Sequence, residues 1–143
     1  MTIELERTNA VGDGEWEELE MYVDSCATGT VANEDMVVTV ETTEGPASRR
    51  GVEYEVATGV RIPNLGEKQF TAVMETGQER NITAQVREVN KALLSVKKMM
   101  SAGNRVVFDE EGSYIEDKVT GDKLWMREKN GMFALKMWVR NVF

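Results

Sequence analysis

Apolar and polar positions along this chain alternate in short runs broken by turn residues, which predicts strands over most of its length. Leu19, Met21 and Val23 alternate with Glu20 and Tyr22 as in a half-buried strand, and the run stops at Asp24 before the small residues Ser25, Cys26, Ala27 and Thr28. Val52, Tyr54 and Val56 alternate with Glu53 and Glu55. Ala57-Thr58-Gly59 then turns the chain, and Val60 and Ile62 return around Arg61 to Pro63, a hairpin with a small, flexible tip. A second hairpin runs from Phe70–Met74 through Glu75-Thr76-Gly77-Gln78 to Ile82, Ala84 and Val86. Further strands are expected at Arg105–Phe108, Tyr114–Asp117, Leu124–Met126 and Met132–Val139. Turns at Asp109–Gly112, Thr120–Asp122 and Asn130-Gly131 separate them, the last carrying a type I′ signal.

One segment follows a helical period. Ser95 is placed to cap a helix, Val96, Met99 and Met100 share a face, and Gly103 suits a left-handed end, so a helix is expected over 95–102. Asn33-Glu34-Asp35 could open a single helical turn. Thr42–Gly51, with Gly45-Pro46, Ser48 and Arg49-Arg50, reads as a surface loop. The expected architecture is one mostly-β domain with one short helix. Met126, Met132, Met137, Trp125 and Trp138 are expected in its core or at a packed interface.

Charge divides the chain. Residues 1–47 hold twelve acidic residues and one basic residue, Arg7, whereas 48–143 carry about +3 of net charge, giving −8 in all. Residues 1–17 read as a flexible acidic linker and 18–143 as the domain. An acidic chain without a basic stripe among its aromatics argues against direct nucleic-acid binding. No apolar run is long enough for a membrane span, and the first residues lack a secretory pattern, so an intracellular, cytoplasmic setting is expected.

The chemical inventory is narrow. With no His and a single Cys in 143 residues, His-dependent nucleophilic catalysis, His-ligated metal sites, thiolate clusters and internal disulfides are excluded; no metal or cofactor is expected. Carboxylates, lysines, hydroxyls and one thiol remain. Cys26 without a His to deprotonate it would be a poor nucleophile. Asp24 has two readings: a carboxylate that opens a turn after a strand, or a catalytic carboxylate presented at a strand end and backed by small residues.

Three blocks in order carry a family resemblance. They are the strand ending in Asp24-Ser25-Cys26-Ala27-Thr28, the hairpin VEYEVATGVRIPNLG, and NKALLSVKKMMSAGNRVVFDEEGSYIED. Together they resemble the protease region of copia-type retrotransposon polyproteins. Asn90, Leu93, Leu94, Ser95, Val96, Gly103, Val107 and Phe108 match the family's helix block, with Lys91-Ala92 as extra residues, and DKVTGDKLWMREKNGMFAL is similar to the strands that follow there. The resemblance implies a retropepsin-like closed β-barrel, with 18–108 as protease core and 109–143 as a C-terminal strand extension.

It also implies an aspartic endopeptidase acting on its own polyprotein as a homodimer, each protomer supplying Asp24 from the loop Ser25–Thr28. Ala57, Thr58, Gly59 and Val60 would form a flap over an extended peptide, and Leu93-Leu94 would pack beneath the active-site loop. The setting implied is cytoplasmic, within a retrotransposon particle. The family pattern is Asp-Ser/Thr-Gly, and Cys26 stands here in the Gly position. That departure leaves a second reading, a catalytically inactive retropepsin-like module for dimerisation or peptide binding.

Overall fold

The computed structural model describes residues 15–55 and 58–141. Strands dominate it, as the alternation predicts. They are β1 (Trp16–Asp24), β2 (Val31–Ala32), β3 (Glu53–Glu55), β4 (Arg61–Pro63), β5 (Gly66–Met74), β6 (Glu79–Val86) and β7 (Ala92–Ser95), followed by β8 (Asn104–Val107), β9 (Tyr114–Asp117), β10 (Lys123–Trp125), β11 (Arg127–Lys129) and β12 (Met132–Arg140). Two helices interrupt them, α1 (Pro46–Arg49) and α2 (Val96–Ser101).

Six strands close on themselves. The order β1-β7-β2-β6-β5-β12 returns to β1, because β12 pairs antiparallel with both β5 and β1, from Trp16↔Arg140 to Val23↔Phe133. β11 extends this sheet beyond β12, so the segment after 108 supplies a strand of the ring itself. The inward positions of β1 and β12, among them Leu19, Met21, Leu135 and Met137, meet Phe70, Ala72, Met74, Ala84 and Leu94 in one core. A second sheet, β8-β9-β10, adds Ile115 and Leu124 to that core. β3 and β4 form a separate hairpin.

The ring is not the clean closed barrel expected. β2 contributes two residues and touches β7 through the single pair Val31↔Leu93. What cuts it short is the next segment, which folds as consecutive turns instead of the helical turn expected from Asn33. The Asn33 side-chain oxygen accepts from Val89 N and its Nδ2 donates to Asp35 Oδ1, so it bridges segments rather than capping a helix. The turns are clamped from both sides. Glu17 accepts from the N–H groups of Val37 and Val38 at 2.7 and 2.9 Å, and the ammonium of Lys68, 2 % exposed, donates to the carbonyls of Glu34, Met36 and Val37. Those five bonds hold Val37 at φ 54°, a left-handed backbone costly for a β-branched residue, with its side chain fully buried in the core. β1 begins at Trp16, so Trp16 and Glu17 of the stretch read as linker belong to the ring, and residues 1–14 of that stretch lie outside the described residues.

The other local expectations resolve similarly. Asn130 and Gly131 both have positive φ (53° and 78°), the type I′ geometry that turns β11 into β12. α2 is capped by Ser95 and followed by Gly103 at φ 93°. The loop expected at Thr42–Gly51 contains the one-turn α1, because Pro46 suits a first helical position and Gly45 N donates to Ser48 Oγ. Met126, Met137 and Trp138 are buried, whereas Trp125 lies 56 % exposed on the edge strand β10 against Tyr114.

Candidate functional site at the end of β1

Asp24 is the last residue of β1 and sits opposite Ser95, the last residue of the parallel strand β7. Two neighbouring parallel strands therefore end together, one delivering a carboxylate and the other starting a helix. The loop after Asp24 is shaped by its own side chain: Oδ1 accepts from Cys26 N at 2.8 Å, and Ala27 N reaches back to Asp24 O at 3.4 Å. This is the turn that a short carboxylate makes with the backbone two residues on. Among the described residues, Asp24 Oδ2 has no hydrogen-bond partner. Ser25, Cys26 and Thr28 are exposed and Asp24 is half-buried, so the carboxylate stands at the surface on a rigid support.

That support is Ser95, fully buried and engaged in three hydrogen bonds. Its Oγ donates to Ala27 O at 2.7 Å and accepts from Lys98 N at 3.2 Å, while its N–H donates to Thr30 Oγ1 at 3.2 Å. One hydroxyl both caps α2 and holds the Asp24 loop. Thr30 extends the network, since its carbonyl accepts from Gln85 N at 2.8 Å. Gln85 Oε1 in turn accepts from Asn64 Nδ2 at 2.9 Å, at the base of the β3–β4 hairpin. Asn64 also donates to Tyr54 OH and accepts from Gly66 N, and the Arg87 guanidinium lies 3.4 Å over the Tyr54 ring. Burial holds the Arg87 pKa below its usual value, partly offset by Tyr54. A continuous polar path thus runs from the hairpin base to the Asp24 loop.

Thr58, Gly59 and Val60 are exposed at the hairpin tip, with Gly59 at φ 85° and open space where a Cβ would stand. Ala57 lies outside the described residues. Leu94 pairs with Val23 and belongs to the core one residue before the Asp24 loop; Leu93 is half-buried between Tyr22 and Val31. Cys26 is a free, exposed thiol. Its backbone is not left-handed: among the described residues only Val37 and Asn130 are non-glycines with positive φ. The turn therefore does not itself demand glycine at 26.

Ser95, Thr30, Gln85 and Asn64 are the site residues that reading the sequence missed. Ser95 carries a local signal for its capping role alone; its bonds to Ala27 and Thr30 span 68 and 65 residues. A cavity of about 470 Å³ lies away from Asp24, lined by Gly29, Thr30 and residues of β6, α2 and the second sheet. Comparison with family models, curated proteins and solved structures finds no match to this chain. Among the described residues, no helix is long and apolar enough to cross a membrane.

Proposed function

We propose that this chain is the protease of a copia-type retrotransposon polyprotein, an aspartic endopeptidase of retropepsin-like fold working in the cytoplasm within the element's particle. Its active unit is a symmetric homodimer in which two Asp24 side chains meet across the two-fold axis. The observation that carries the reading is Asp24 itself: a half-buried carboxylate at the end of a ring strand, on a loop bonded to the buried Ser95 of the adjacent parallel strand. Among the described residues a single chain offers one such carboxylate, and a two-fold axis supplies the second in the same geometry.

Two carboxylates brought to ~3 Å share one proton. The ionised one takes a proton from a water, which attacks the scissile carbonyl; the protonated one donates to the carbonyl oxygen as the tetrahedral intermediate forms. Collapse of the intermediate returns a proton to the leaving amine. The β3–β4 hairpin closes over the peptide as a flap, its exposed Thr58-Gly59-Val60 tip offering backbone groups to an extended strand. Residues 64 and 85 keep its base fixed to the strand beside the Asp24 loop.

Cys26 favours a second reading, an inactive module that dimerises or binds peptide, because its exposed side chain adds bulk where two loops and a substrate would meet. Cleavage of a peptide library at about pH 5, within the range of a shared-proton dyad, decides between them. With a native chain that turns over, Asp24→Asn abolishes cleavage without unfolding and a statine-type mimic inhibits it. With a silent native chain, Cys26→Gly restores turnover. Cleavage retained in Asp24→Asn removes Asp24 from the role, and silence in both native and Cys26→Gly chains leaves the binding module.

A further inference from the structure

The cavity between α2, β6 and the β8–β10 sheet has a chemical character of its own. Its volume of about 470 Å³ falls within the range of small-molecule sites. Ile82, Met99, Ile115 and Leu124 give it apolar walls, and methionine lining adapts readily to an occupant's shape. Lys98 and Ala102, both exposed, mark its solvent end, and Arg80 and Asp117 also line it.

The charges there are not equally available. The Asp117 carboxylate accepts from Val119 N at 2.8 Å and Thr120 N at 3.2 Å, bonds that hold its pKa below the ordinary range and commit it to its own turn. The Arg80 guanidinium is held in place by Glu79 O and Gln78 Oε1, and its charge also acts on the Asp117 carboxylate. Lys98 Nζ has no hydrogen-bond or ion-pair partner among the described residues. An apolar chamber therefore opens past one anchored cation and one uncommitted cation.

We infer that this cavity binds a small anionic amphiphile, a molecule carrying one carboxylate, sulfonate or phosphate on an apolar body. The body replaces water against the apolar walls, and the anion sits between Lys98 and Arg80. The site is separate from Asp24, which does not line it, and does not depend on the protease reading. It nonetheless touches the same framework, because Thr30 lines the cavity and its hydroxyl accepts from Ser95 N. An occupant packs against the residue that helps hold the Asp24 loop.

Titration of the intact chain with dodecanoate and with dodecanol, by calorimetry and by amide chemical shifts, tests this. Dodecanoate below its micellar concentration should bind saturably, one per chain, and shift the amides of Gly29, Thr30 and Lys98–Ala102. Dodecanol should bind more weakly. Lys98→Glu should weaken dodecanoate by about tenfold, as an exposed attraction becomes a repulsion, and leave dodecanol unchanged. Ala102→Trp, at an exposed position with φ −86° that accepts a side chain, should block the entrance and weaken both ligands. Absence of saturable binding, equal dodecanoate affinity in Lys98→Glu, or shifts confined to surfaces away from the cavity would each overturn the inference.

Discussion

Replacing Ser95 by alanine removes one oxygen and two hydrogen bonds at the junction of the Asp24 loop with α2. The cap on Lys98 N contributes about 1 kcal/mol at a typical helix N-terminus. The bond to Ala27 O, 2.7 Å long and on a half-buried segment, contributes about another 1 kcal/mol. Packing changes little, since a hydroxyl is lost from a site of zero exposure without removing a carbon. The expected loss is therefore about 2 kcal/mol. For a domain of this size that lowers Tm by roughly 6–8 °C, at roughly 3–4 °C per kcal/mol. Urea unfolding gives the energy, and hydrogen exchange locates it: the Lys98 amide should lose protection through the cap, and the Cys26 and Ala27 amides through the loop. A Tm change below about 1 °C, or destabilisation with the loop amides unaffected, would refute Ser95 as the support of that loop.

Lys68→Met should cost about 3 kcal/mol in urea unfolding, because three backbone carbonyls lose a charged donor and that of Val37 stays buried; a change under ~1 kcal/mol would mean water replaces the ammonium. In the β3–β4 hairpin, Gly59→Val puts a β-branched residue at φ 85°, a strain of about 1 kcal/mol or more, so peptide binding should weaken and Tm should fall by about 3 °C or more although no contact is lost. Hydrogen exchange of 58–62 as slow as that of Leu19–Val23 would contradict the flap. The Glu20 carboxyl, accepting from the Lys129 ammonium at 3.0 Å, is held below its ordinary pKa of 4.5 by that bond, and the same bond raises Lys129. Glu20 thus binds its proton more tightly unfolded, so the pair's small stabilisation is present above pH 4.5 and fades as pH falls through the lower folded value. Lys129→Gln should flatten this part of the acid titration of stability, and an unchanged profile would count against the pair.

Period-two alternation needs only neighbouring residues, and so the chain alone determined β1, both hairpins, the β11–β12 turn and α2 with its cap. The same alternation identified which face of β1 is buried and placed Asp24 at its end. It could not determine the partners of those strands. That β12 closes the ring against β1, or that β7 runs parallel beside it, depends on contacts more than a hundred and about seventy residues apart, where no local signal exists. The same limit applies to the site. Asp24 was legible because a carboxylate ending an apolar strand stands out. Ser95 was legible as a cap but not as the anchor of the Asp24 loop, and Lys68, in a strand of mixed character, gave no sign of burial. The turns after Asn33 were misread because a good helix cap was outweighed by five long-range bonds from Glu17 and Lys68, strong enough to hold Val37 in a backbone it would not choose. Local preference decided the elements; buried polar groups that had to find partners across the chain decided how they were joined.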